Sequence, residues 1–192
     1  MAISAAADSI APTFPALYSV TGVEADDHLN IRAAPDGVSE IIGQLANDAT
    51  DVEVFALSRK GQWALLNSGE TSGWVALRFL VPQPESRNAL GLPNGLVCSG
   101  TEPFWDMRFL DEGALTLRTP ETETQHALVS TAPSADYVRI AETGYRFVWQ
   151  SEPGDVTAHI LPGHCSDGMS DRTYGLHYID NQGPRVGCCS LR

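Results

Sequence analysis

The sequence predicts an all-β protein built from two small antiparallel, barrel-like domains. Three observations carry this expectation. Apolar runs are short, and in YRFVWQ (145–150) and VTAHIL (156–161) they alternate with polar residues, the period of a strand with one buried face. Turn-forming pairs such as Asp-Gly, Lys-Gly, Ser-Gly and Thr-Gly separate the runs and suit tight hairpins. No segment carries a helical apolar stripe of the roughly 12 residues that a stable helix needs. Closure into barrels is expected because it removes exposed strand edges.

Taken in order, residues 1–16 are small, polar and proline-bearing, and read as a flexible N-terminal segment. They lack the charged start and continuous apolar run of a signal peptide, and look like the region just after a cleavage site. Strands then follow in ALYSVTGV, LNIRAAP, IIGQLA, TDVEVFALS, QWALLNS and SGWVALRFL. The prolines and glycines of VPQPESRNALGLPNG (81–95) break the pattern, so domains over 17–81 and 96–192 are expected on either side of a linker over 82–95. Beyond it, strands are expected in EPFWDMRFL, ALTLRT, HALVST, YVRIAE, YRFVWQ, VTAHIL, YGLHYID and RVGCC.

Charge excludes one class of partner. With 24 acidic against 12 basic residues the chain carries −12 at neutral pH, and a duplex would be repelled at long range. No nucleic-acid partner is therefore expected. No apolar run approaches the roughly 20 residues of a membrane-spanning helix. The four cysteines, Cys98, Cys165, Cys188 and Cys189, are even in number and confined to the second half. Two disulfides in a small β-rich domain imply an oxidising compartment, so a periplasmic or secreted location is expected.

In the first half, LNIRAAPDGVSEIIGQL (29–45) and GWVALRFL (73–80) occur in an order and spacing that resembles the bacterial SH3-like domain family. Alternation alone sends Leu29 and Ile31 to one face and Asn30 and Arg32 to the other, with Pro35, Asp36 and Gly37 in the turn. The resemblance implies a binding or spacer module of the cell envelope without catalytic groups of its own. Tyr18, Trp63 and Trp74 are the aromatics most able to line a groove for a glycan or peptide. Trp74, inside a strand, is expected in the core, and His28 in a solvated turn. Trp63, after its RKGQ turn, is the better exposed candidate, with core burial as its alternative.

The second half carries CSGTEPFW (98–105), CSDGMSDRTY (165–174) and a terminal GCC (187–189). Together these look like a group of small bacterial envelope proteins of uncharacterised function, many of them lipoproteins, and more remotely like the META/heat-shock-lipoprotein type of β domain. That resemblance transfers no activity. Joining Cys188 to Cys189 would strain a vicinal ring, since adjacent Cα atoms lie about 3.8 Å apart. Cys98 and Cys165 are therefore each expected to bond one member of the terminal pair. Those two neighbours point to opposite faces of a strand, so the last strand would staple two layers.

The densest chemistry lies in GHCSDGMSDRTY (163–174). Zinc is disfavoured because no Cys-x₂₋₄-Cys spacing exists, and calcium because the carboxylates do not fall at alternate positions. No nucleophile elbow frames Ser166 or Ser170, and disulfide pairing removes a reactive thiolate. No cofactor and no catalytic residue is assigned. Asp167 and Asp171 suit turn amides, and Arg172 suits a carboxylate such as Asp171 or Glu102. If the two motifs meet, Glu102, Trp105, Asp167, Asp171, Arg172 and Tyr174 would line one polar-aromatic pocket. The expected function is non-enzymatic recognition of a wall component or protein partner in the bacterial envelope. The alternatives are a wall hydrolase using Glu102, Asp167 or Asp171, or an inhibitor of a wall-degrading enzyme.

Overall fold

The computed structural model describes residues 14–89, 91–133, 144–152, 154–182 and 185–191. The N-terminal segment expected over 1–16 lies outside the described residues as far as residue 13, and the strand expected in YVRIAE (137–142) lies outside them entirely. The chain is all-β: the described residues form antiparallel strands and one 3-10 turn, Leu77–Phe79.

The first half makes two sheets. One is five-stranded, with β3 (Ile41–Ala46), β2 (His28–Arg32), β7 (Thr71–Ala76), β6 (Trp63–Ser68) and β5 (Ala56–Leu57) in that order; the other runs β4 (Val52–Val54), β1 (Ala16–Val20), β8 (Leu80–Pro82). Leu29 and Ile31 are buried while Asn30 and Arg32 face outward, as the alternation requires. They meet Val54, Leu66 and Val75 in one apolar cluster. GWVALRFL, expected as one closing strand, is broken by the 3-10 turn, across which the chain passes from one sheet to the other. Alternation does not reveal the break, because Leu77 and Phe79 of the turn pack against the same cluster. Trp74 is only half-buried, and Val75 takes the core position beside it.

The second half is an eight-stranded closed barrel. It is a meander through β10 (Phe104–Phe109), β11 (Ala114–Arg118), β12 (Glu123–Pro133), β13 (Tyr145–Trp149), β14 (Val156–Cys165), β15 (Tyr174–Asp180) and β16 (Val186–Ser190), closed by β9 (Val97–Thr101) between β16 and β10. Sequence patterning omits β9, since VCSGT is poor in strand-forming side chains. Its glycine has a packing reason: a Cβ on Gly100 or on Gly187 of β16 would collide with the Trp105 indole. Trp105 lies 4.9 Å from Tyr178, centroid to centroid, inside the barrel. The Tyr178 hydroxyl donates to Asp180 at 3.0 Å, and Arg185 reaches the same carboxylate oxygen at 3.4 Å, so this interior charge is paired. Burial drives the Tyr178 phenol far above its ordinary range, and Asp180 beside it adds to the shift.

Residues 83–89 and 91–95 fold back on themselves. Arg87 bridges to Pro93, and Leu92 and Leu96 are fully buried in the barrel core. The two halves also touch directly. Leu17 packs against the barrel cluster, and the Leu191 amide donates to Glu53 at 3.0 Å. Gly175 has no room for a Cβ because the Pro15 ring lies against it.

Candidate functional site

The disulfides are Cys98–Cys189 and Cys165–Cys188. Both avoid the vicinal pair, and opposite-facing neighbours on β16 determine their roles. Cys189 faces the interior and meets Cys98 directly across the β16–β9 seam, so this bridge closes the barrel from within. Cys188 lies on the other face and holds Cys165, the last residue of β14, at the root of the loop over 166–173.

Within that loop Asp167 is an organising acceptor. Its Oδ1 receives the amides of Met169 at 2.9 Å and Ser170 at 3.0 Å, and its Oδ2 receives the Ser170 hydroxyl at 2.9 Å and the Tyr174 hydroxyl at 3.2 Å. Desolvation pushes the Asp167 carboxyl up, but the donated bonds from Met169, Ser170 and Tyr174 outweigh it and hold the group below its ordinary value. Desolvation raises the Tyr174 phenol instead, with Asp167 adding to the shift against the opposing Arg172 charge. The Asp167 carbonyl accepts from Thr101 at 3.2 Å, which brings CSGTEPFW against the loop.

The far end of the loop docks on the β6–β7 hairpin of the first half. The Asp171 amide donates to the Glu70 carbonyl at 2.9 Å, and its carbonyl accepts from the Ser72 hydroxyl at 3.3 Å. Asn67 makes a two-way pair with the Thr173 backbone, donating to its carbonyl at 3.0 Å and accepting from its amide at 3.1 Å. Thus Asp171 works through its backbone. Asn67, Ser72 and Thr173 were not anticipated, because backbone-directed contacts across about 100 residues leave no local pattern.

The expected single pocket forms in part. Trp105 and Asp167 border one open groove of about 430 Å3, together with Phe104, Asp106, Thr119 and Arg118. Asp106 there is held by Arg118 at 2.8 Å and Arg108 at 3.7 Å. Glu102 sits on the exposed β9–β10 turn and is not part of the groove wall, nor are Asp171, Arg172 and Tyr174. Arg172 shows no carboxylate pairing among the described residues: its guanidinium lies 5.4 Å from the Tyr174 ring centre, and its buried Nε has no hydrogen-bond partner among them. The negative face of the ring quadrupole attracts the guanidinium. Trp105 is a core residue, only 5% exposed, while its neighbour Phe104 is 54% exposed on the groove.

In the first half Tyr18 departs from its expected groove position: it is 3% exposed and belongs to the apolar cluster. Burial raises its phenol pKa. Trp63, half-buried at the start of β6, does border a groove of about 410 Å3, with Phe79, Arg32, Arg78, Asp27 and His28 around it. Among the described residues no three His, Cys, Asp or Glu side chains gather as a metal set, and no helix is long and apolar enough to cross a membrane. Comparison with family models, curated proteins and solved structures finds no match to this chain.

Proposed function

We propose that this is an exported, non-enzymatic recognition protein of the bacterial envelope, which holds a wall component in the groove beside Trp63. The supporting observation is the composition of that groove. An indole and a phenyl ring lie among Arg32, Arg78 and Asp27, the mixture of stacking faces and charged donors that binds a glycan or short peptide. The likeness of this half to bacterial SH3-like domains points the same way. Two disulfides support an oxidising compartment, periplasmic or extracellular, and the −12 charge disfavours nucleic acid. A hydrolase reading draws little support from the loop, because the Asp167 carboxylate is engaged by internal donors and Asp171 serves as a docking point.

Co-sedimentation with purified sacculi tests the proposal. The wild type is expected to pellet, and Trp63→Ala to lose about ten-fold or more in affinity, as a central aromatic contact does. A wild type that stays in the supernatant, or a Trp63→Ala variant that pellets equally, would overturn it.

A further inference from the structure

A separate cavity of about 200 Å3 lies where β1, the 82–95 segment and the barrel meet. Its walls are apolar: Phe14 and Leu17 come from the first half, and Leu176 and Leu191 from the barrel. Its polar groups are concentrated on the 82–95 segment and on Tyr145 at the start of β13. Among the described residues Arg87 is the only cation that borders it. The guanidinium donates to the Gly91 carbonyl at 2.6 Å and to the Tyr145 hydroxyl at 3.0 Å, which anchors one side of the fork. Its other terminal nitrogen meets the Glu85 carboxylate at 2.6 Å. The Tyr145 hydroxyl accepts from Arg87, and a phenol that accepts one bond still carries one proton to donate. Burial raises that phenol's pKa and keeps the proton in place at neutral pH.

From this arrangement we propose that the junction cavity binds a small apolar monocarboxylate, its carboxylate on Arg87 and Tyr145 and its chain among Phe14, Leu17, Leu176 and Leu191. Glu85 acts as an internal stand-in for that carboxylate. It is held by one terminal nitrogen of Arg87, and its side chain is 56% exposed, so a ligand that displaces it leaves it facing water. A carboxylate in the place of Glu85 makes a charge-assisted bond to the second terminal nitrogen of Arg87, which a neutral headgroup does not reproduce. The cavity is smaller than the roughly 300–1,000 Å3 of sites for drug-sized ligands, so the chain must be short. Because walls come from both halves, the site is complete only in the docked molecule.

Isothermal titration with octanoate, and with octanol as the neutral control, tests the proposal on the full chain. The wild type is expected to bind octanoate and to bind octanol at least ten-fold more weakly. Arg87→Gln should lose octanoate by about ten-fold or more while leaving octanol unchanged. Glu85→Gln should bind octanoate more tightly than the wild type, since it removes the competing carboxylate while retaining a side chain of similar size. That gain is not produced by a misfolded variant, so the pair separates a binding role from a structural one. Absence of octanoate binding in both the wild type and Glu85→Gln would overturn the proposal, as would equal affinity for octanoate in Arg87→Gln.

Discussion

At the scale of single residues, the aspartates of the 163–174 loop show how a reactive-looking cluster becomes structural. Asp167 spends its carboxylate on backbone and hydroxyl donors within the loop. Its pKa is depressed in the folded state, so its contribution is present above the unfolded value of about 3.8 and disappears as pH falls through the lower folded value. Thermal melting from pH 7 to 2 should show an acid limb that Asp167→Asn flattens, and an unchanged limb would count against this role. Asp167→Ala should cost about 1–2 kcal/mol, the scale of a partly solvated set of hydrogen bonds. Gly187 gives a second residue-level expectation. A methyl there meets the Ser99 carbonyl and the Trp105 ring, so Gly187→Ala should lower stability by about 1–3 kcal/mol, measured by chemical denaturation. The turn role of Asp167 was readable from Asp-Gly and the following serine. The burial of Tyr18 was not: β1 is covered on both faces, with Tyr18 in one cluster and Leu17 against the other, and alternation does not say which aromatic stays exposed.

At the scale of elements, strands were legible wherever one face is apolar and one polar, as in β2, β13 and β14. β9 was not, because Gly100 is dictated by packing against the indole of Trp105, its partner across the β9–β10 hairpin, and not by strand propensity. The cysteine arithmetic reached two of three pairings, and only the three-dimensional faces of β16 choose between them. The bridges differ in kind. Cys98–Cys189 spans 91 residues across the barrel seam, and Cys165–Cys188 spans 23 at the loop root. Chain-entropy arguments give about 4.6 and about 3.4 kcal/mol respectively. Replacing Cys98 and Cys189 together by Ala should therefore destabilise the barrel more than replacing Cys165 and Cys188. The second replacement should instead open the loop: limited proteolysis is expected to cut within 166–173 while the barrel survives. Equal cutting in the wild type would contradict the assignment of that bridge as a loop anchor.

At the scale of the whole molecule, GHCSDGMSDRTY is the clamp between two apolar cores. One end is anchored to the barrel through Cys165–Cys188 and Thr101, and the other holds the β6–β7 hairpin through Asn67, Glu70 and Ser72. The sequence shows the loop's polarity, but the partner hairpin is specified by backbone atoms far away in the chain. Asn67→Ala removes both bonds to Thr173 and should cost about 1–3 kcal/mol at the junction. In denaturant the first half should then unfold before the disulfide-held barrel, separating transitions that coincide more closely in the wild type. Coincident transitions with an unchanged midpoint would argue against coupling through Asn67. The most direct test is amide hydrogen exchange at Asp171 and Thr173, whose N–H groups bond Glu70 and Asn67. A clamp predicts slow exchange at both amides in the oxidised protein, and fast exchange when Cys165 and Cys188 are replaced by Ser while the barrel strands stay protected. Fast exchange at both amides in the intact protein would contradict it.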